Sequence, residues 1–197
     1  SRIEFENGHV ISYLYDADGI KLRTTHIIGS DTTVTDYCGN VIYENGIPVK
    51  LLTEAGYVTL ADSKYHYFVQ DHLGNNRVVV DQSGNVEEVN HYYPFGGLLS
   101  SSVSNAVQPY KYNGKELDRK NGLDWYDYGA CMYDAALGRW HAVDPMSEKY
   151  YSISSYVYGL NTPHNCIDPD GQKIIFVNGY LGFGSPRGGG TYWGGVN

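Results

Sequence analysis

The chain has 197 residues, of which 42% are hydrophobic, and its formal net charge is −8. This length can bury a core, and the 24 Gly and 20 Tyr residues favour β structure with many turns. The acidic balance and the scattered positions of 14 Lys and Arg residues argue against DNA or RNA as partners. No apolar stretch has the length of a membrane span. Both ends resemble interior sequence, so we expect a piece of a longer protein.

A strand, turn and strand unit recurs along the chain. Its turns carry residue pairs that tolerate the positive φ angles of tight hairpins. These pairs are Asp18-Gly19, Asn45-Gly46, Gly74-Asn75 and Gly84-Asn85, within YLYDADGIKL, VIYENGIPV and YFVQDHLGNNRVVVDQSGNVEEV, and MYDAALGRW is a further version of the unit. Such self-similarity indicates a repeat architecture. Because no long window has the 3.6-residue period of a helix, we predict an all-β hairpin sheet with few short helical turns.

Two segments near the C-terminal end have a different character. DPMSEKY predicts a short helical turn with Asp144 as N-cap and Pro145 at the first helical position. In DPDGQKIIFV, the residues from Asp168 to Gly171 have turn chemistry, whereas Lys173 to Val177 is an apolar run that predicts a buried strand. The sequence therefore passes from one unit to another near this point.

The cysteines indicate neither a disulfide framework nor a zinc site, because they are odd in number and form no CxxC pair. One set of candidate metal ligands can be drawn: Cys131, His141, His164 and Cys166. These residues lack the ligand spacing of a recognisable metal scaffold. We therefore expect buried or unpaired thiols, no metal site and no cofactor.

Six motifs from about Tyr13 to Gly171 occur in the order in which one known family has them. They are YDADG, DHLGNNRVVVDQSGNV, YYPFGG, YKYNGKELD, WYDYGACMYDAALGRWHAVDP and YVYGLNTPHNCIDPDG. In these motifs the chain closely resembles the Rhs family, whose YD repeats end in an Rhs repeat-associated core domain. The resemblance implies a β shell that encloses a C-terminal toxin, with the core domain curling inward as a plug.

The resemblance also implies the organisation, the partners and the location of the protein. Residues 1–62 would be YD-repeat shell strands, residues 63–172 the core domain, and residues 173–197 the truncated start of a variable toxin or effector domain. The partners would be this C-terminal toxin as cargo, an immunity protein and components of a secretion system. The bacterial protein would be secreted or located at the cell surface.

The family's core domain can act as an aspartic autoprotease, and the resemblance assigns its catalytic positions to Asp144 and Asp168. The bond to be cut would be Gln172-Lys173. Two such carboxylates hydrolyse a peptide when they share a proton, so that one acts as a base on water and the other as an acid. Without the resemblance, both aspartates read as ordinary turn and capping residues.

Three departures from the family pattern predict a weakened autoprotease. An Arg that the family needs for cleavage is replaced by Cys131, which cannot hold a carboxylate ionised. Asp134 is retained but is followed by Ala rather than Pro, and Gln172 replaces an aliphatic residue. Arg139 could substitute for the missing Arg, although it resembles a framework residue near the sheet.

The sequence thus leaves three functions open: a shell with a weakened autoprotease, an active autoprotease that releases the toxin, and a carbohydrate-binding adhesin. The third would use a set of tyrosines that could alternatively line a half-polar shell interior. These are Tyr126, Tyr128, Tyr133, Tyr150, Tyr151, Tyr156 and Tyr158. The final segment, KIIFVNGYLGFGSP, resembles the first strand and Gly-rich loop of an α/β domain, which suggests a hydrolase-like effector.

Overall fold

The computed structural model describes residues 1–100, 102, 108–149 and 152–177. In these residues the fold is all-β, with three antiparallel sheets and only short 3₁₀ turns of helical structure. The predicted fold class is therefore confirmed. The 3₁₀ turns are Tyr112–Gly114, Lys120–Gly122, Ser147–Lys149 and Gly159–Asn161.

The largest sheet is a meander in which each strand pairs with its neighbours in sequence. Its strands are β1 (Arg2–Glu4), β2 (Val10–Tyr15), β3 (Lys21–Ile28), β4 (Asp31–Cys38), β5 (Val41–Glu44), β6 (Ile47–Thr53), β7 (Gly56–Thr59), β8 (Lys64–Gln70), β9 (Asn76–Asp81) and β10 (Val86–Val89). The predicted boundary at residue 62 falls between β7 and β8. These two strands pair within one sheet, so the boundary remains a prediction from the sequence.

Two smaller sheets follow. The first contains β11 (Glu116–Asp118), β12 (Trp125–Asp127), β13 (Met132–Asp134) and β14 (Arg139–Trp140), and the second contains β15 (Cys166–Ile167) and β16 (Ile175–Phe176). We call the four-stranded sheet the core sheet. The last predicted segment, from residue 173, is described only as far as residue 177, so its α/β character lies outside the described residues.

The predicted hairpin turns are confirmed, and three of them share one geometry. Asp16, Asp71 and Asp81 each accept the backbone N–H groups of the second and fourth following residues at 2.8–3.2 Å. The glycine three residues after each aspartate has a φ between 76° and 84°, which other residues rarely adopt. Asn45, with φ 50°, and Gly46, with φ 80°, form the tight turn between β5 and β6.

The apolar run after residue 172 differs from its prediction as a buried strand. The strand β16 has only two residues, and Ile175 and Phe176 are 48% and 44% exposed. The strand pairs with β15. An apolar sequence alone does not determine what covers a strand, and the prediction of burial is therefore wrong here.

The helical turn predicted after Asp144 is confirmed, because the Asp144 carboxylate accepts the Met146 N–H at 2.7 Å before the turn at Ser147–Lys149.

The core is built mainly from tyrosines of the core sheet and its flanking loops. Tyr126, Tyr128, Tyr133 and Tyr158 are at most 3% exposed and pack with Trp140. A sugar cannot stack on rings that are buried in this way, so the prediction of a carbohydrate-binding surface is wrong for these four tyrosines. Of the others, Tyr156 is exposed, and Tyr150 and Tyr151 lie outside the described residues.

The hydroxyl groups of the core tyrosines have partners that allow their burial. Tyr112, Tyr126 and Tyr133 donate to the three consecutive backbone carbonyls of residues 94–96 at 2.8–2.9 Å. Tyr128 and Tyr158 both donate to Asn113 Oδ1, at 2.8 and 2.7 Å. These hydrogen bonds offset the desolvation of the tyrosine hydroxyls, whereas the buried Trp140 Nε1 has no partner in the described residues.

The core sheet is attached to the large sheet by buried charged groups. Lys21 Nζ lies 2.6 Å from a Glu116 carboxylate oxygen and 2.8 Å from one of Asp127. Burial disfavours the Lys21 ammonium, but these two carboxylates outweigh burial and raise its pKa. Nearby, Tyr13 and His26 bind the Asp118 carboxylate at 2.6 and 2.8 Å. The junction between the two sheets therefore combines these directional polar contacts with an apolar cluster, in which Ile11 and Tyr13 pack with Leu123, Trp125 and Met132.

Removal of the Lys21 charge should weaken this junction. In Lys21→Met, two buried carboxylates would be left without their cation, so we expect the free energy of unfolding to fall by about 3 kcal/mol or more. Urea denaturation checks this value. Lys64→Met is the matched control, because Lys64 pairs with Asp62 at an exposed site, and its loss should cost less than about 1 kcal/mol. Equal losses in the two variants would contradict the role of Lys21.

Candidate functional site

The turn after β15 brings one predicted catalytic residue to the predicted cleavage bond. Asp168 is 1% exposed, and its Oδ1 atom accepts the backbone N–H groups of Gly171, Gln172 and Lys173 at 2.8, 3.0 and 3.1 Å. The φ of Gly171 is 76°, which allows the chain to close around the carboxylate. The nitrogen of Lys173, which would leave if the bond were cut, is therefore in direct contact with Asp168.

Burial is the largest influence on the acidity of this carboxyl group. The pKa of Asp168 is raised to about 6: burial raises it most, the three N–H donors lower it, and the nearby Asp170 carboxylate adds a smaller increase. A carboxyl group with this pKa can hold a proton in mildly acidic to neutral solution. Asp168 thus has the properties of a general acid.

Asp144 lies in the loop after β14 and is 6% exposed. Its backbone N–H donates to the carbonyl of Ser155 at 2.9 Å, which fixes the loop. The residue borders a small cavity of about 10 Å³ that is also lined by Ile174, the second residue after the predicted cleavage bond. This volume suits about one water molecule. The cavity therefore connects a buried carboxylate with the segment that would be cut.

Cys131 lies beside both predicted catalytic residues. Burial raises the pKa of its thiol to about 11, and the carboxylates of Asp144 and Asp168 contribute in the same direction. Its neighbour Ala130 donates its N–H to the Asp170 carbonyl at 3.3 Å. The thiol is thus neutral and near enough to both aspartates for their charges to raise its pKa.

Two supporting residues proposed from the sequence belong to the β13–β14 hairpin. Asp134 accepts the N–H groups of Ala136 and Leu137 at 2.8 and 3.1 Å. Arg139 is exposed on β14. Within the described ranges, no hydrogen bond or ion pair joins Arg139 to Asp144 or Asp168, so the structure does not bring this guanidinium to the site.

Two further charged groups near the turn were not found from the sequence. Asp170 accepts the N–H groups of Gln172 and Lys173, both at 3.2 Å. The Lys115 ammonium lies 5.4 Å from the centre of the Tyr128 ring; burial lowers its pKa, and Asp127, Asp170 and Asp168 act against this effect. The DPD spacing was a signal for Asp170, whereas no sequence signal links Lys115 to a turn more than fifty residues later.

The described part of the chain contains no group of three or more His, Cys, Asp or Glu residues in a metal-binding arrangement. It also contains no helix that is long and apolar enough to span a membrane. Its cysteines are free: Cys38 is exposed, and Cys131 and Cys166 are buried.

The thiol at position 131 should be unreactive in the folded protein. Because its pKa is raised and it is only 4% exposed, little thiolate can meet a reagent at pH 8. We expect a thiol-specific alkylating reagent to modify Cys38 at least about tenfold faster than Cys131, as measured by peptide mass spectrometry. Addition of denaturant should remove the difference. Fast modification of native Cys131 would be inconsistent with its burial.

The raised pKa of Asp168 predicts a pH dependence of stability. Because the pKa is about 6 in the folded state and about 3.9 in an unfolded chain, folding favours the protonated form. The stability that the protonated Asp168 carboxyl group contributes is fully present below about pH 4 and is lost as the pH rises through about 6. Replacement by Asn removes this titration.

Between pH 4.5 and pH 7, the parent should therefore lose about 2 kcal/mol of unfolding free energy relative to Asp168→Asn. Urea denaturation at both pH values measures this difference. Asp16→Asn, which removes a carboxylate from a hairpin turn, controls for the general effect of charge. A constant difference between the parent and Asp168→Asn would refute the assigned titration.

Comparison with known proteins found relatives for most of the chain, although no family model matches it. It is 31% identical over 219 residues to salivary gland surface protein 1 of Aedes aegypti, covering 94% of this chain and 6% of the relative. It is 29% identical over 154 residues to toxin subunit YenC1 of Yersinia entomophaga, covering 70% and 15%. It is 26% identical over 176 residues to tRNA nuclease WapA of Bacillus subtilis (strain 168), covering 87% and 7%.

The fold also occurs in solved structures. A crystal structure of TcdB2-TccC3-TEV matches with a TM-score of 0.72 at 19% identity, over 87% of this chain and 10% of the matched chain. A Tc holotoxin pore of Photorhabdus luminescens matches with a TM-score of 0.70 at 21% identity, over 91% and 10%. The chain spans only 6% to 15% of the length of the curated relatives named above. Its ordered motifs, its strand meander and these relatives identify the chain as a member of the Rhs/YD-repeat family.

Proposed function

We propose that this chain is the closing part of a toxin-enclosing shell of the Rhs type, and that it slowly cuts its own backbone between Gln172 and Lys173. The hydrogen bond from the Lys173 N–H to Asp168 Oδ1, at 3.1 Å, is the observation that carries the cleavage part of the proposal. Its donor is the leaving atom of the predicted cut. The cargo would be the toxin domain that begins at Lys173.

The contact between the large sheet and the core segments supports the shell part of the proposal. One face of the sheet carries polar side chains, including Tyr37, Glu44 and Lys50, and these line a cavity of about 440 Å³ shared with Lys111 and Glu116. At this cavity the sheet and the core segments leave space between them instead of packing closely, which suits enclosing more than forming one solid core. One relative by sequence is named toxin subunit YenC1, which agrees with a role as part of a toxin.

The β10 end of the sheet is attached to the segment before the core sheet by a buried charge network. Glu88 accepts hydrogen bonds from Lys111 at 2.6 Å, from Gln108 at 2.8 Å and from Asn90. Glu88 and Lys111 are both 3% exposed. Within the described residues the amide oxygens of Asn90 and Gln108 have no partner, but the three donors that converge on Glu88 favour one arrangement of the connected parts. The plug would thus be held at both the β2–β3 and the β10 ends of the sheet.

In the proposed reaction, Asp144 accepts a proton from a water molecule in the small cavity beside it. The water oxygen attacks the carbonyl carbon of Gln172 and forms a tetrahedral intermediate. Protonated Asp168 then gives its proton to the Lys173 nitrogen, and the C–N bond breaks. The first products are a carboxylic acid at Gln172 and a neutral amine at Lys173, and transfer of the acid proton to the amine gives the carboxylate and the ammonium. Each aspartate therefore has one defined proton transfer.

Three features make this reaction slow. Cys131 supplies no positive charge to keep Asp144 ionised as a base. Arg139 is exposed on β14 and, in the part of the chain that the structure describes, forms no hydrogen bond or ion pair with either aspartate. The Lys115 ammonium faces Asp127 and the turn, but it forms no ion pair with either catalytic aspartate within the described ranges.

A secreted or cell-surface location, an immunity protein and secretion components belong to the same proposal and follow from the family.

Intact mass after incubation between pH 5 and pH 8 tests the cleavage. We expect the parent chain to lose residues 173–197, faster near pH 6 than at pH 8, because Asp168 must be protonated. Asp144→Asn should cut at least about 100-fold more slowly, and Cys131→Arg should cut about tenfold faster. Asp16→Asn should match the parent.

The outcomes separate the two parts of the proposal. Cleavage of Asp144→Asn at the rate of the parent would refute Asp144 as the base. If the parent, Asp144→Asn and Cys131→Arg all remain whole, the cleavage part is wrong. The enclosing role, which depends on the polar face of the sheet, would then stand alone.

A further inference from the structure

The turn at the predicted cleavage bond contains a second carboxylate with no assigned role. Asp170 Oδ1 accepts the N–H of Lys173 at 3.2 Å, and Asp168 Oδ1 accepts the same N–H at 3.1 Å. The Gln172 N–H is likewise shared, at 3.2 Å to Asp170 and 3.0 Å to Asp168. Two carboxylates therefore converge on the nitrogen atoms on both sides of the residue whose carbonyl would be attacked.

We propose that Asp170 is a further catalytic carboxylate of the self-cleavage reaction, which stabilises the positive charge that develops on the Lys173 nitrogen when Asp168 protonates it. This inference rests on the proposed function. The proton moves from Asp168 to the nitrogen, the C–N bond electrons stay with the nitrogen, and Asp170 remains an anion throughout. No group besides the cavity water is consumed.

The surroundings of the two carboxylates assign them different protonation states. Asp168 is 1% exposed, whereas Asp170 is only half-buried, so the proton that two close carboxylates share belongs preferentially on Asp168. A pair of titratable groups in unlike environments is the usual arrangement for one acid and one anion. The Asp170 carboxylate thus lies at the point where positive charge appears, as electrostatic catalysis requires.

The turn is held rigidly enough to keep Asp170 in this position. Its backbone carbonyl accepts the Ala130 N–H at 3.3 Å, which ties the turn to the loop between β12 and β13. A Cβ atom at Gly171 would lie 3.2 Å from the Cys131 nitrogen and 3.5 Å from Tyr128 Cβ, so the chain is closely packed there. The carboxylate therefore acts from a fixed backbone rather than from a free loop.

Asp170→Asn in the full 197-residue chain separates a catalytic from a structural role. Asn retains an oxygen that accepts the two N–H groups but has no charge. We expect release of residues 173–197 to slow at least about tenfold, and the alkaline limb of the pH profile to move to lower pH by about half a unit, because a like charge beside Asp168 is lost. Asp170→Glu should restore part of the rate.

Asp81→Asn is the matched control, because Asp81 forms a similar turn between β9 and β10 and its replacement should leave both rate and profile unchanged. A second readout does not require cleavage. It is a ¹³C NMR titration of the Asp168 carboxyl group, whose signal is identified because it is missing from the spectrum of Asp168→Asn. Its midpoint should fall in Asp170→Asn. A purely structural role would alter the rate without moving this midpoint.

The possible results distinguish this inference from the proposed function. If the parent is cut and Asp170→Asn is cut at the same rate with the same profile, the inference is wrong and the function stands. An unmoved Asp168 midpoint would also overturn the inference. If the parent stays whole while the midpoint moves, the proposed function fails, and with it the catalytic role, whereas the electrostatic coupling of the two aspartates is retained.

Discussion

The hydrogen bond from backbone N–H groups to an aspartate side chain is the interaction on which the chain reversals of this protein depend. It closes the hairpins at Asp16, Asp71 and Asp81, and a related form closes the turn at Asp168. In each case a carboxylate satisfies N–H groups that no strand can pair, and a glycine provides the positive φ that the turn needs. The difference at Asp168 is burial: this carboxylate is 1% exposed, whereas the turns at Asp16 and Asp81 are exposed and Asp71 is partly buried beside Arg77. The same local chemistry thereby becomes capable of proton transfer.

The local part of this architecture could be predicted from the sequence. Hairpins such as the one at Asn45-Gly46 depend on residues that are adjacent in the chain, and the cap at Asp144 depends on the two residues that follow it. Burial could not be predicted in the same way. Tyr126 and Tyr133 can be buried because the carbonyl groups of Gly96 and Phe95 accept their hydroxyls from 30 and 38 residues away. The apolar pair in β16 is exposed because a sequence does not show what lies opposite a strand.

The candidate site shows the same division. The resemblance indicated Asp144 and Asp168, and the fold brings both of them beside Cys131, although 23 residues lie between them in sequence. It did not indicate Asp170, because the second residue of a Pro-Asp-Gly turn has no visible partner until the turn is closed. Nor could it show that Arg139 is exposed on β14, since the face that a strand residue occupies depends on the neighbouring strand.

The pairing of every strand of the large sheet with its sequence neighbours has a kinetic consequence. Such a sheet has a low contact order, so each hairpin can form as soon as its own residues are available, without waiting for distant sequence. The bonds from Tyr13 to Asp118 and from Lys21 to Glu116 are different, because 105 and 95 residues separate their partners. Docking of the core sheet should therefore follow growth of the meander, and the turn at Asp168 should be completed last. The order of folding would then delay any chemistry at the Asp168 turn until the large sheet and the core sheet have formed.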